Sequence, residues 1–283
     1  MALELMFVTN RVDVAEAAQA AGVDRIFVDM EYIGKQKRQG GLDTVQSMHT
    51  LDDVKAMRKV LVTSTLHVRC NPIHDASKEY SSTEDEINGI IESGADVIML
   101  PFFHNTEQVH RFLKAVGGRA KTNLLVETPK AAESIDEILE IEGIDEIHIG
   151  LNDLHLGYGM TFMFELLADG TVQKLCEKIA KKNISYGFGG VARVGTGTLP
   201  AECIIGEHYR LGSERIILSR SFCDISKETD FEIIKQKFNT GVYDIRNFEK
   251  DITNTWDEEA YAKNKETMEK TVAKIVQSIK NSK

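Results

Sequence analysis

The 283-residue chain has little of what several protein classes require. Its four cysteines, Cys70, Cys176, Cys203 and Cys223, stand far apart, and no CxxC or Cys/His ligand spacing occurs. That pattern argues against a structural zinc site and suits free buried thiols in a reducing, cytoplasmic compartment. No apolar run approaches the roughly 20 residues that cross a bilayer, so no membrane partner is expected. The opening MALELMFVTNRVD has neither a basic n-region nor a cleavage site, so no secretory signal is expected. Positive charge is the scarcer sign: 34 Lys and Arg against 44 Asp and Glu leave a net charge of −10. Such a chain has no drive for counterion release, which excludes the nucleic-acid backbone as a partner. What remains, 42% hydrophobic and 28% charged residues, is globular composition.

Short apolar runs recur at residues 3–9, 25–29, 65–69, 96–102, 123–127, 146–151, 184–189 and 215–219. Most are continuously apolar, as strands covered on both faces are. Helical patterns lie between them. Residues 12–21 close at Gly22 and residues 84–93 at Gly94, both expected left-handed caps. Thr83 with Glu86 reads as a capping box. Thr128-Pro129 reads as an N-cap followed by proline at the first helical position, opening a helix over 130–140. Further helices are expected over 106–116, 171–182 and 201–211. Eight strand–helix units imply right-handed crossovers and a closed (β/α)8 TIM barrel, an α/β fold, over residues 1–238. No GxGxxG follows the first strand, which counts against an open dinucleotide-binding sheet. Residues 32–47 read as a polar loop. Residues 239–283, with the only tryptophan, Trp256, read as a helical extension: an outer helix or an oligomer arm.

Barrel side chains alternate between the interior and the helix layer, and active sites lie at the C-terminal strand ends. Strand two ends Phe27-Val28-Asp29-Met30-Glu31, placing Asp29 and Glu31 on one face. Strand three ends His67-Val68-Arg69, strand five at Glu127, and strand six runs into Leu151-Asn152-Asp153. Glu127 and Asp153, on consecutive strands, suit a hard divalent cation, Mg²⁺ or Mn²⁺, completed by water and substrate. The alternative for either acid is a carboxylate stabilised at a helix N-terminus. Arg69 can hold a carboxylate or an enolate oxygen, or pair structurally with Asp29 or Glu31, and the two roles are compatible. No strand interior contains a lysine, so Schiff-base chemistry is not expected and carbonyl chemistry should be metal-assisted.

The stretches GVDRIFVDMEY, LHVRCNP, SGADVIMLPFFHNTEQV, LLVETPKAAESIDEILEIEGIDEIHIGLNDL and LGSERIILSRSF, in that order between about residues 20 and 222, resemble the HpcH/HpaI aldolase and citrate lyase β-subunit family. The resemblance implies a metal-dependent (class II) aldolase or lyase that makes or breaks a carbon–carbon bond next to a 2-oxo acid of the pyruvate class, with an aldehyde as partner. It implies metal held by Glu127 and Asp153, the enolate stabilised by Arg69, and the substrate carboxylate bound by backbone amides of Leu151, Asn152 and Asp153. It also implies a homo-oligomer, a hexamer, with a terminal helix exchanged between neighbours.

The chain departs from the family where the aldolase branch carries Asp-x-Glu-His, for here Tyr32 follows Asp29-Met30-Glu31. Tyrosine is no base near neutral pH. By parity His67 is the nearest substitute; its alternative is a core histidine hydrogen-bonded inside the barrel. The expected catalytic set is therefore Arg69, Asp29, Glu31 and His67. Asp-Met-Glu also resembles the acidic motif of the citrate lyase β branch, which implies a second reading as an acyl-CoA lyase. A catalytically silent 2-oxo-acid-binding barrel is a third. Cys70 is expected to pack rather than react. Gly187-Phe188-Gly189-Gly190 and Gly195-Thr196-Gly197, with Arg220, either hold a phosphate at the rim or serve turn geometry alone.

Overall fold

A computed structural model describes residues 2–35 and 47–282. The order is β1 (Glu4–Val8), α1 (Val12–Ala20), β2 (Arg25–Asp29), α2 (Leu51–Val60), β3 (Thr65–Arg69), α3 (Thr83–Glu92), β4 (Val97–Leu100), α4 (Thr106–Val116), β5 (Lys121–Val126), α5 (Pro129–Glu133), α6 (Ile135–Ile138), β6 (Glu146–Ile149), α7 (Leu151–Gly157), α8 (Glu165–Ala168), α9 (Thr171–Ala180), β7 (Ser185–Val191), α10 (Ala201–Arg210), β8 (Arg215–Leu218), α11 (Phe231–Thr255) and α12 (Glu258–Asn281). The strands close into one barrel in sequence order, and every neighbouring pair is parallel. This is the expected (β/α)8 architecture. Of the polar loop expected over 32–47, residues 36–46 lie outside the described residues.

Local chemistry explains the punctuation. Gly22 and Gly94 take φ of +92° and +96°, which a Cβ would resist. Thr128 accepts from the Ala131 amide ahead of Pro129, as expected, but the helix it opens breaks at Ser134 into α5 and α6. The N-cap of α3 sits one residue earlier than the sequence suggests, and it is not the capping box expected there. Ser82 Oγ accepts from the Asp85 amide, and Glu86 turns instead to Asn71. Strand β2 is buried throughout, as a strand covered on both faces must be.

The C-terminal helices fold back on their own barrel. Helix α11 starts at Phe231, ahead of the boundary expected at 238, and seats Phe238 edge-on against Phe7 at 4.8 Å. Its Glu249 accepts from the Leu3 amide at 2.6 Å, covering the start of β1. Helix α12 comes so close to α10 that a Cβ on Gly206 would lie 2.6 Å from Asn264 Nδ2, and it would lie 2.8 Å from Trp256, which caps the end of α11. All four cysteines are buried and unbridged. Among the described residues no helix is long and apolar enough to cross a membrane.

Candidate active site

The inward-facing residues form three tiers. At the N-terminal end Arg25 holds Glu146 through two bonds, Nη1–Oε2 at 2.7 Å and Nη2–Oε1 at 2.9 Å, and Glu4 at 2.5 Å. Arg215 reaches Glu4 at 3.2 Å and Ser185 at 2.6 Å. His67, Asn123 and His148 are buried with this floor. Burial, then the Arg215 charge, drives the His148 imidazole down to about 3, and burial with Arg25 drives His67 well below its ordinary value, so both rings are neutral. Above the floor Phe27, Met99 and Leu125 form an apolar cluster, with Val8 and Ile217 against it. The Phe27 ring lies 4.8 Å from that of His67, while on its other contact the Arg69 guanidinium carbon is 5.6 Å from the ring centre.

The third tier is the mouth at the C-terminal strand ends. Strands β2 and β3 pair Asp29 directly with Arg69. Asp29 accepts from Arg69 Nε at 2.8 Å and Nη2 at 2.7 Å, a two-point fork. Both bonds use one edge of the guanidinium, so Nη1 lies outside the Asp29 contact. Glu31, fully buried, has Oε2 3.5 Å from Arg69 Nε. Burial alone would raise the Asp29 carboxyl; the Arg69 guanidinium and the Lys35 ammonium reverse this and hold it well below the usual carboxylate range. The same pairing with Asp29 and Glu31 outweighs burial at Arg69 and keeps it charged.

Glu127 follows β5 and Asp153 lies in the first turn of α7. Both carboxylates are almost wholly buried, at 3% and 9% exposure. Glu127 Oε1 accepts from the Phe102 amide at 2.9 Å, and Phe102 holds that amide with a left-handed backbone, φ +47°. Gly150 gives Glu127 its room: a Cβ there would stand 2.7 Å from Glu127 Cβ and 3.0 Å from Oε2. The first turn of α7 begins at Gly150 with no side-chain cap, so the amides of Leu151, Asn152 and Asp153 precede the first intrahelical bond, Leu154 N to Gly150 O. Both are hard oxygen donors of the kind that Mg²⁺ or Mn²⁺ takes. Asp29 and Glu31 are engaged with Arg69 and Lys35. Among the described residues no group of three or more His, Cys, Asp and Glu side chains is arranged to hold a metal.

Three supporting features escape the sequence reading. Lys35, from the loop after β2, is buried with Nζ 2.8 Å from Asp29 and 3.6 Å from Glu31. Its only signal is the i,i+4 spacing from Glu31, which a search confined to strand interiors passes over. His49 accepts the Asp29 amide on Nδ1 at 3.0 Å, which leaves Nε2 as the ring N–H. Asn71 Oδ1 accepts the Tyr32 and Ile33 amides at 2.9 Å each, and Glu86 accepts from Asn71 Nδ2 at 2.8 Å. Tyr32 itself is 43% exposed, and burial, Glu86 and Tyr80 raise its hydroxyl further, so it stays protonated. Cys70 is fully buried and burial pushes its thiol well up, in keeping with a packing role.

Two of the glycines expected to serve a rim phosphate site or turn geometry have other engagements. Gly187 lies inside β7, where a Cβ would collide with Arg215 and come within 3.0 Å of His148 Nδ1. The Gly195 amide is taken by the Glu202 carboxylate at 2.8 Å, which puts negative charge where a phosphate would need a donor.

The HpcH/HpaI aldolase/citrate lyase family model matches residues 4–165. Among curated proteins none matches the chain. An HpcH/HpaI aldolase from Desulfitobacterium hafniense DCB-2 superposes with a TM-score of 0.57 at 14% identity, covering 81% of this chain and 95% of that one. An HpcH/HpaI aldolase/citrate lyase family protein from Burkholderia cenocepacia J2315 gives 0.60 at 12% identity, covering 83% and 95%. The citrate synthase SbnG gives 0.59 at 16% identity, covering 83% and 94%. At such identities these three likenesses are of fold.

Proposed function

The chain belongs to the HpcH/HpaI aldolase/citrate lyase family, and we propose that it is a divalent-metal-dependent carbon–carbon lyase acting on a 2-oxo acid of the pyruvate class, with an aldehyde as the other reactant. What supports this reading is the mouth itself: a guanidinium held on one edge by Asp29, with two further buried acids, Glu127 after β5 and Asp153 in the first turn of α7. Held by Glu127 and Asp153, Mg²⁺ or Mn²⁺ would supply the Lewis acidity that polarises the ketone.

Within this reading Arg69 binds the ketone oxygen through Nη1 and stabilises the negative charge it gains as the C3–C4 bond breaks, the C4 hydroxyl becoming the aldehyde carbonyl and its proton passing to solvent water. Asp29 aims the guanidinium and, ionised so far below its usual range, is a poor proton acceptor. Glu31 adds a second negative charge that keeps Arg69 charged and in place. The amides of Leu151, Asn152 and Asp153 orient the substrate carboxylate. His67 is fully buried with its ring against Phe27, so we assign it to the barrel interior rather than to proton transfer.

The test is loss of pyruvate methyl protons in D₂O, followed by ¹H NMR with Mg²⁺ or Mn²⁺ present. Exchange that stops with EDTA and in Glu127→Gln and Asp153→Asn supports the reading; identical behaviour with and without metal refutes the metal role. Tyr32, protonated where the family aldolases carry histidine, favours a second reading as a silent binding barrel. Thermal stabilisation by pyruvate without any exchange would select it. Turnover of CoA thioesters but not hydroxy-oxo acids would select an acyl-CoA lyase.

A further inference from the structure

Lys35 has no part in the chemistry proposed above, yet it is the most buried ammonium of the mouth, at 4% exposure. Its Nζ donates to Asp29 Oδ2 at 2.8 Å, the oxygen that also accepts Arg69 Nη2 at 2.7 Å. Glu31 Oε2 stands between the same two cations, 3.6 Å from Lys35 Nζ and 3.5 Å from Arg69 Nε. The four side chains thus form a closed quartet of two acids and two bases with no net charge.

Removing Lys35 from this quartet would leave two carboxylates on one guanidinium. The excess negative charge would sit within a few ångströms of Arg69 in a poorly screened site, where it opposes any incoming anion. With Lys35 present, Arg69 stays locked to Asp29 and still offers positive potential at Nη1. The backbone of residues 32–35 does not depend on the ammonium, because Asn71 holds the Tyr32 and Ile33 amides and the Lys35 amide donates to Tyr32 O at 3.2 Å.

We propose that Lys35 is a charge-balancing, positioning residue: it supplies the second positive charge that lets the mouth accept a carboxylate-bearing substrate while Arg69 remains bound to Asp29. This inference rests on the reading of the mouth as a 2-oxo-acid site and specifies what makes that site tolerant of an anion. It also predicts a preference for anionic over neutral carbonyl compounds that originates in a loop residue.

The experiment measures oxalate affinity by titration calorimetry, with MnCl₂ present, on the full chain and three variants. Lys35→Met is expected to weaken oxalate about 10- to 100-fold, the scale of one nearby unbalanced charge. Lys35→Arg should stay within about threefold of the parent. The double variant Lys35→Met with Glu31→Gln, which removes the excess acid, should regain most of the loss although it lacks the lysine. Thermal melts of the same samples confirm folding, and the arginine and double variants keep the test decisive should Lys35→Met alone unfold. Unchanged affinity in Lys35→Met, or failure of Glu31→Gln to compensate, overturns the charge-balancing role alone. No oxalate binding by the parent chain overturns both this inference and the 2-oxo-acid reading beneath it.

Discussion

The floor and the mouth of the barrel are built from the same pieces, arginines clasped by carboxylates on neighbouring strands, yet they do different work. At the floor Arg25 spends Nη1 and Nη2 on Glu146 and Glu4, under a lid of Phe27, Met99 and Leu125. At the mouth Arg69 is held by one edge only and its side chain keeps 17% exposure. A buried ion pair that closes on itself fixes geometry at a desolvation cost; one that leaves a donor over can act on something else. Orphaned atoms sharpen the contrast. Among the described residues both His67 ring nitrogens, Asn123 Oδ1, His148 Nδ1 and Arg215 Nη1 lack hydrogen-bond partners, all of them at the floor.

The comparison can be broken at either end. Arg25→Met strips Glu146 of its two-point partner and should cost about 3–5 kcal/mol of stability in denaturant melts, while oxalate affinity stays within about threefold. Loss of binding would show that floor and mouth are one unit. Arg69→Met should do the reverse, lowering kcat/KM about 10²- to 10³-fold with a far smaller change in melting temperature; equal losses of fold and activity would erase the distinction.

Acid titration separates the two tiers next. Burial raises the Glu146 carboxyl, and Arg25 and Arg215 more than reverse this, bringing it to about 2 from 4.5. Folded below unfolded means that its stabilisation is complete above about pH 4.5 and fades as pH falls toward 2, about 3 kcal/mol in all. Denaturant midpoints compared at pH 6 and pH 3 should therefore drop more in the parent than in Arg25→Met; parallel curves would contradict the assignment. Gly150→Ala tests the seat of Glu127, whose Cβ would lie 2.7 Å from the added methyl. Manganese affinity should fall about 10- to 100-fold, and an unchanged value would mean that Glu127 does not need its present position. The smallest effect is expected of His67→Leu. Trading an unpartnered buried ring for an apolar side chain should leave stability within about 0.5 kcal/mol or raise it, and activity measured alongside should hold. A large activity loss would restore His67 to the catalytic set.

The same tiers explain what the sequence discloses. Period-two alternation puts Arg25, Asp29, His67, Arg69 and Glu127 on inward faces, and strand β2 falls on residues 25–29 as the apolar run predicts. Alternation carries no height, however. His67 and Arg69 share a face of β3 two residues apart, and only the register shows that His67 pairs with Phe27 of the apolar cluster while Arg69 pairs with Asp29 at the mouth. Lys35 is hidden for another reason: it reaches the site from beyond the end of β2, so no strand periodicity marks it. Glu86 matches a capping pattern because Thr83 lies three residues before it, but Ser82 is the better placed oxygen and frees Glu86 to hold Asn71. Gly187 suggests a phosphate loop by composition alone; its purpose, space for Arg215, exists only once β8 lies beside β7.

The central claim is that Glu127 and Asp153 share a divalent ion beside the free edge of Arg69. Crystals soaked in MnCl₂ and oxalate, measured at a wavelength where manganese scatters anomalously, test it most directly. The account predicts one anomalous peak between the two carboxylates, with oxalate lying against Arg69 Nη1. A peak elsewhere with those carboxylates apart, or oxalate bound away from Arg69, would contradict it.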